Sequence, residues 1–169
     1  MLGDGVFTGA VLARPDEKGR LSLPAVLRNS VPGEGKSKSI YISRHESAPC
    51  LVGSGADRRS RLQTYIDELE NVAARRSKAF NPEAASRRLF GGEMIPIDGS
   101  GRFVMPDVLW EMGGFEGELF LLGRGEFFEI WDLGKLLAIE GEEFEGAKEF
   151  AAAALRARDR VAARKGGKA

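Results

Sequence analysis

One stretch of the sequence occurs twice. Residues 16–27 are DEKGRLSLPAVL and residues 98–109 are DGSGRFVMPDVL, and both follow the pattern D-x-x-G-R-apolar-x-apolar-P-x-V-L. Each matched position is offset by 82 residues, from Asp16 to Asp98 and from Leu27 to Leu109, so the unit contains no gap. An internal repeat constrains the architecture more than any other feature. Two copies with a long insert between them predict two similar half-domains.

Each copy predicts a tight loop that leads into a strand and then a helical turn. The aspartate can accept hydrogen bonds from backbone N–H groups of its own loop, and the glycine three residues later tolerates a positive φ. The next residues alternate as a short strand. This strand should end at Pro24 or Pro106, because proline cannot donate to a sheet ladder. Ala25–Arg28 and Asp107–Trp110 can then form short helices.

The aspartate and arginine of each loop allow two interpretations. In the first, the two side chains pair across the loop and only stabilise it. In the second, each loop presents an arginine to a partner, because the guanidinium fork suits phosphates and guanine edges. The spacing is compatible with both.

The remaining pattern predicts a chain in four segments, which are 5–55, 56–92, 93–134 and 135–165. Strands are predicted on both sides of the repeats, at 5–13, 40–42, 50–52, 93–97, 118–123 and 127–131, with a hairpin at 124–126 and a turn over 32–38. Each half then has about four short strands and one helical turn, which is small for an independent domain. We therefore expect the two halves to share one core.

Helical periodicity appears between the copies and after them. Apolar residues recur every three or four positions from Asp57 to Phe80. Asn81-Pro82-Glu83 predicts the start of a second helix, which should end at Gly91-Gly92. A third helical pattern runs from Glu142 to about Arg164, with alanines that allow close packing, and residues 165–169 should fray.

The formal charge is balanced overall but uneven along the chain. Residues 1–50, 51–92 and 135–169 carry +2, +3 and +2, whereas residues 93–134 carry −7. A net charge of zero therefore does not exclude a nucleic-acid partner, and any basic face belongs mainly to the first half. The arginines of the helical insert are interpreted as a solvated helix face rather than as direct DNA contacts: Arg58, Arg59, Arg61, Arg75, Arg76, Arg87 and Arg88.

Cysteine and histidine content argue against an enzyme. Cys50 is the single cysteine, which excludes an intrachain disulfide and a multi-cysteine zinc site and favours a reducing cytoplasmic setting. His45 is the single histidine, and a nucleophile–base pair or a metal site with Cys50 and Glu46 would need a third group. A lone loop histidine and a buried cysteine are the simpler interpretation. We expect no enzymatic activity, cofactor, metal, small-molecule substrate or membrane span, and no leader sequence.

These features together resemble the MraZ family. The resemblance rests on the duplicated D-x-x-G-R unit, the proline after the next strand, the helical pair between the copies and the Phe-Glu-Ile-Trp at 128–131, and it covers about residues 6–165. It implies an α+β fold related to AbrB and MazE-type DNA binders. In that fold two tandem AbrB-like half-barrels share one swapped-hairpin β-barrel core, with a helical insert between the copies and a C-terminal helix.

The resemblance also implies a function. Members are bacterial transcriptional regulators that form homo-oligomeric rings, and they bind double-stranded DNA at short direct repeats upstream of the division and cell-wall gene cluster, including their own promoter. The implied location is the cytoplasm, in association with the nucleoid. By position, the implied DNA-facing residues are Asp16, Lys18, Gly19, Arg20, Asp98, Gly101 and Arg102, with Arg14 and Arg28 as nearby basic candidates.

The two copies differ around the shared motif. Copy two has Ser100 where copy one has Lys18, has Ile97 and Trp110 where copy one has basic or small residues nearby, and lies in the acidic segment. We therefore expect copy one to dominate DNA contact. The alternative hypothesis is an antitoxin-like or scaffold protein whose barrel binds a protein partner, which the acidic second half and the apolar tail helix would suit.

Overall fold

A computed structural model describes residues 3–33 and 38–167 of the chain. The strands within these ranges are β1 (Ala10–Ala13), β2 (Arg20–Ser22), β3 (Lys38–Arg44), β4 (Leu51–Gly55), β5 (Glu93–Ile97), β6 (Arg102–Val104), β7 (Leu119–Gly123) and β8 (Phe128–Asp132). The helices are α1 (Ala25–Arg28), α2 (Ala56–Arg59), α3 (Leu62–Arg75), α4 (Pro82–Phe90), α5 (Asp107–Gly113), α6 (Leu133–Ala138) and α7 (Glu145–Gly166), with a 3₁₀ turn at Glu142–Phe144. The predicted α+β class is confirmed. The predicted turn over 32–38 and the predicted fraying of 165–169 fall partly outside the described residues.

Strands from the two halves alternate in one antiparallel sheet of order β1-β7-β8-β4-β3-β5. The first strand of each half pairs with the hairpin of the other half, so that Val11 lies opposite Leu121 and Ile95 lies opposite Ile40. The two hairpins, β3–β4 and β7–β8, meet at the centre through β4 and β8. When each strand is replaced by its counterpart in the other half (β1 by β5, β3 by β7 and β4 by β8), the same strand order is obtained, read from the opposite edge. The sheet therefore has pseudo-two-fold symmetry, and each half depends on the other to complete it.

The duplicated units meet in a second, two-stranded ribbon. β2 and β6 are antiparallel, with Leu21 opposite Phe103 at the centre. Both of these side chains are buried, and they face the interior. Because successive side chains of a strand point to opposite faces, Arg20 and Arg102 share the other face of the ribbon. The ribbon thus closes the core with one face and presents two arginines with the other.

A single core lies between the ribbon and the large sheet, and it contains equivalent side chains of both copies. Its members offset by 82 residues are Leu21 and Phe103, Leu23 and Met105, and Leu27 and Leu109. The proline that ends each strand starts a short helix, as predicted, and that helix turns the last of these residues inward. The prediction of a shared core is confirmed.

Helices cover the face of the large sheet opposite the shared core, near the two ends of the sheet. α3 and α4 bury Leu62, Ile66 and Leu89 at one end. α7 lies at the other end and buries Ala151 beside Trp131. The small alanine side chain allows the close helix packing that the sequence predicted.

The helical insert differs from the predicted continuous helix over 57–80. The helix is interrupted at Ser60 and Arg61, where Arg61 has φ −105° and ψ 3°. α3 then ends at Arg75, close to Ser77 with its φ of 53°. The predicted helix after Asn81 is confirmed, and the Ala84 N–H donates to the Asn81 side chain at 3.0 Å as an N-cap.

The first strand and the segment after β8 also differ from prediction. The first strand starts at Ala10 rather than at residue 5, because Gly9 has a φ of 102°, outside the strand region. α6 was not predicted as a separate helix. It begins after Asp132, whose carboxylate accepts from the Lys135 N–H at 3.0 Å.

Phe103→Ala should destabilise the whole protein by about 3–5 kcal/mol, because it removes a buried ring where the two halves meet. Urea unfolding followed by circular dichroism should remain a single transition at a lower midpoint. Val104→Ala is the matched control on the same strand, since Val104 is 60% exposed, and it should change stability by less than about 0.5 kcal/mol. Separate transitions for the two halves would contradict the shared core.

Candidate nucleic-acid interface

One aspartate organises the first D-x-x-G-R loop. The backbone N–H groups of Lys18 and Arg20 each donate to Asp16 Oδ1 at 2.9 Å, and Arg20 Nε donates to Asp16 Oδ2 at 2.8 Å. The Gly19 N–H donates to the Asp16 carbonyl at 2.9 Å, which closes the turn. A single carboxylate therefore fixes both the loop backbone and the stem of the arginine.

The second loop repeats the same hydrogen bonds. Asp98 Oδ1 accepts from the N–H groups of Ser100 and Arg102 at 2.8 and 2.9 Å, and Asp98 Oδ2 accepts from Arg102 Nε at 2.9 Å. Residue 100 contributes only its N–H to this frame. The replacement of lysine by serine at this position therefore leaves the loop intact and changes only what it displays.

The glycine of each loop adopts the backbone conformation that the sequence predicted. Gly19 has a φ of 75° and Gly101 has a φ of 80°. A Cβ at Gly19 would meet nothing within 4 Å, whereas one at Gly101 would lie 2.6 Å from the Leu23 carbonyl oxygen and 2.8 Å from Arg28 Cδ. Loop one thus projects into open space, while loop two rests against the first copy.

The two interpretations of the aspartate–arginine pair are compatible. Of the guanidinium nitrogens of its arginine, each aspartate engages only Nε. Within residues 3–33 and 38–167, the terminal nitrogens of Arg20 and Arg102 have no hydrogen-bond partner. Their side chains are 32% and 43% exposed. The pairing stabilises the loop and also directs the terminal nitrogens toward solvent.

The two arginines lie close together although their loops are at opposite ends of the ribbon. Arg20 is opposite Val104, and Arg102 is opposite Ser22. Two residues of strand rise and one interstrand spacing place their Cα atoms about 8 Å apart. The exposed face of the ribbon is therefore a compact surface with two fixed guanidinium groups.

The two nearby basic candidates have different surroundings. Arg28 belongs to copy one in sequence, but its Nη1 donates to the Ser100 carbonyl of loop two at 2.7 Å. Arg14 precedes loop one and donates through Nη2 to Glu118 at 3.3 Å. The Glu118 and Ser100 contacts were not predicted, because they join residues about 70 to 100 positions apart and no local pattern signals them.

Polar residues around the Glu129 carboxylate form a separate buried cluster. His45 Nδ1 accepts from the N–H groups of Ser47 and Ala48 at 3.0 and 2.9 Å, so the neutral ring carries its proton on Nε2. Burial lowers the pKa of His45, and burial raises the pKa of the Cys50 thiol well above its usual value. Cys50 is therefore held as a protonated thiol, in agreement with the prediction of a buried cysteine.

The assignment of Arg58 to a solvated helix face is wrong. Its side chain is buried, with the guanidinium carbon 4.7 Å from the centre of the Tyr65 ring and 4.5 Å from that of Phe127. Stacking on two aromatic faces offsets the cost of burying this charge. The aromatic contacts explain why the helical pattern alone misplaced it.

The part of the chain that the structure describes has neither a metal-binding cluster nor a helix that could cross a membrane. It has no group of three or more His, Cys, Asp and Glu side chains arranged to hold a metal ion. None of its helices combines the length and the apolar character that crossing a membrane requires.

Comparison with known proteins identifies relatives along most of the chain. It is 30% identical over 129 residues to transcriptional regulator MraZ of Methylobacillus flagellatus, which covers 76% of this chain and 82% of the relative. The protein of the same name from Nitrosomonas eutropha is 31% identical over 133 residues, or 77% of this chain and 83% of the relative. That of Rhizobium meliloti is 27% identical over 146 residues, or 85% and 94%. No protein-family model matches the chain.

Each of these relatives is named a transcriptional regulator. The identity and the coverage establish the family. The chain belongs to the MraZ family, as the resemblance of its sequence indicated.

Gly101→Ala should destabilise the protein more than Gly19→Ala. Both changes place a side chain at positive φ, which costs about 1–2 kcal/mol, but only the Cβ at 101 would collide with backbone and with Arg28. Urea midpoints of the two variants against the unmodified protein provide the measurement. Equal losses would show that the packing of loop two on the first copy contributes nothing.

The loop aspartates should titrate below the ordinary range of aspartic acid. The N–H of Arg20 lowers the pKa of Asp16, and that of Arg102 lowers the pKa of Asp98. Because folding favours the ionised carboxylate, each loop stabilises the protein above the ordinary aspartate pKa and loses this contribution as pH falls through the lowered value. Carboxyl ¹³C titration by NMR, with the urea-unfolded chain as reference, would test this, and unshifted midpoints would refute the loop hydrogen bonds.

Proposed function

We propose that the chain regulates transcription by sequence-specific binding to double-stranded DNA through its two D-x-x-G-R loops. The observation that carries the proposal is the pair of arginines, each fixed through Nε, on the exposed face of one β-ribbon. A two-stranded ribbon fits the major groove of B-DNA. The proposed DNA-facing residues are Asp16, Lys18, Gly19, Arg20, Asp98 and Arg102, with Arg14 and Arg28 beside them. Gly101, which the resemblance also implied, is buried against the first copy and supports the loop rather than facing DNA.

The charge of the loops favours base recognition over simple phosphate attraction. Loop one contains two acidic and two basic side chains in residues 16–20, and loop two contains one of each in residues 98–102. A locally neutral loop adds little nonspecific affinity, which comes mainly from uncompensated Lys and Arg at phosphates. The terminal nitrogens of Arg20 and Arg102 instead match the O6 and N7 acceptors of guanine.

Loop one is proposed as the dominant contact. It displays Lys18 beside Arg20, and its glycine faces open space. Loop two displays Ser100, whose carbonyl is engaged by Arg28. These differences support a larger contribution from Arg20 than from Arg102.

The exchange of first strands between the halves supports a more specific fold assignment. We propose two AbrB-like repeats, 5–55 and 93–134, that complete one swapped-hairpin barrel, with an insert at 56–92 and a helical segment at 135–165. In this arrangement one chain supplies both halves of a structure that has internal two-fold symmetry.

A few base contacts per chain discriminate weakly between DNA sequences. Assembly of several copies of the chain would increase this discrimination. We propose a homo-oligomeric ring that binds short direct repeats, because linked copies raise the effective concentration of each weak contact when the DNA sites match their spacing. The proposed targets lie upstream of the division and cell-wall gene cluster and include the chain's own promoter. The proposed location is the cytoplasm, at the nucleoid.

Arg20→Ala should weaken binding to the DNA upstream of the chain's own gene by about 1–3 kcal/mol, and Arg102→Ala should cost less. Fluorescence anisotropy at two salt concentrations, with a shuffled duplex for comparison, would measure both. Arg76→Ala is the matched control, because Arg76 is an exposed arginine just after α3, and it should bind as the unmodified protein does. Equal losses in the two loop variants would contradict the ranking of the copies.

The wild-type result tests the function itself. Selective binding that persists at the higher salt concentration supports the regulator. Equal binding to both duplexes that disappears with salt, or no binding at either salt concentration, overturns sequence-specific recognition. The absence of binding at either salt concentration would favour the protein-partner alternative.

A further inference from the structure

Glu118 joins the beginning and the end of the chain through two arginines. It immediately precedes β7, and its side chain is 13% exposed. Arg158 on α7 donates through Nη1 to both of its carboxylate oxygens, at 2.6 Å to Oε2. Arg14, the residue after β1, donates through Nη2 to Oε1 at 3.3 Å.

The two arginines share this carboxylate unequally. Arg158 contacts both oxygens at short distances, whereas Arg14 makes one long hydrogen bond and keeps a side chain that is 71% exposed. Glu118 therefore belongs mainly to Arg158. The three side chains together carry a net charge of +1, and Asp159 contacts the far side of Arg158 at 3.9 Å from Nε.

Because Arg14 lies next to loop one, its contact with Glu118 affects what Arg14 can do at that loop. Arg14 lies two residues before Asp16, which organises loop one. A long, exposed arginine there can reach a DNA phosphate beside the loop. It can do so only when it is not held by Glu118.

We propose that Arg158 is a positioning residue for DNA binding, which occupies Glu118 and thereby leaves Arg14 available to a backbone phosphate next to loop one. This inference rests on the proposed function. It assigns the C-terminal helix a role in recognition without placing that helix on DNA.

Removal of Arg158 changes the site in two ways. Glu118 keeps its negative charge but loses its closest cation, so its oxygens become available to a bidentate contact with Arg14. The net charge of the group also falls from +1 to zero. Both effects withdraw Arg14 from the phosphate, while Arg20 and its loop hydrogen bonds are unchanged.

A double-mutant cycle between Arg14 and Arg158 tests the inference. Arg14→Ala and Arg158→Ala should each weaken binding to the upstream DNA about two- to fivefold, and each should reduce the log–log salt slope by about 1. In the Arg14→Ala background, Arg158→Ala should have no further effect. Full additivity of the two losses would overturn the proposal, because it would mean that Arg158 acts without Arg14.

Two further variants separate positioning from charge and from folding. Arg160→Ala removes the same charge from an exposed position of α7 and should leave affinity within the error of the measurement. Glu118→Gln should restore wild-type affinity to Arg158→Ala, because no carboxylate then remains to capture Arg14. A loss in Arg160→Ala as large as in Arg158→Ala, or the absence of rescue by Glu118→Gln, would overturn the inference.

A measurement without DNA distinguishes this inference from the proposed function. Modification of arginines by phenylglyoxal, followed by peptide mass spectrometry, should be slower at Arg14 in Arg158→Ala than in the wild type, and Glu118→Gln should reverse the change. An unchanged rate at Arg14 overturns the capture by Glu118 even if the wild type binds DNA. Slower modification in a protein that does not bind the upstream DNA selectively would leave the contact correct and the proposed function wrong.

Discussion

The antiparallel pairing of β2 with β6 is the contact on which the rest of the structure depends. It places Leu21 opposite Phe103, and both side chains enter the core that the two halves share. The same register puts Arg20 and Arg102 on the opposite, exposed face. A shift of one residue would reverse both faces at once, with the arginines buried and the apolar side chains in water. Core packing and the display of the arginines therefore have one structural cause.

A second constraint acts within each loop. The aspartate carboxylate accepts two backbone N–H groups and one guanidinium N–H. The backbone bonds need a tight turn, which the glycine allows by its positive φ. The guanidinium bond restricts an otherwise flexible side chain. An arginine held in advance loses less conformational entropy when it binds a partner, so the pairing that stabilises the loop also suits it to the proposed DNA contact.

Local patterns in the sequence predicted most of the elements, but not α6 or the break between α2 and α3. The repeat located both loops and both strands after them, and periodicity located most of the hairpin strands and α4. The partners of the strands could not be predicted in the same way. The apolar run Ala10–Ala13 predicts that β1 is a strand, but not that β1 pairs with β7 of the other half. Arg58 illustrates the same limit, since its helical position predicted solvent and its distant partner Phe127 determined burial.

Joining the two halves in one chain allows equivalent positions to acquire different roles. Arg28 and Trp110 are counterparts, offset by 82 residues. Arg28 donates to the Ser100 carbonyl of loop two, whereas the Trp110 ring lies edge-on to Phe115, with 5.2 Å between the ring centres. Loop two is consequently supported by the first copy, and loop one faces open space at Gly19. Two identical chains with exact two-fold symmetry would have to give both loops the same neighbours. Because this chain does not, its loops keep one internal frame and differ in what surrounds them, which is the condition for one loop to contribute more than the other.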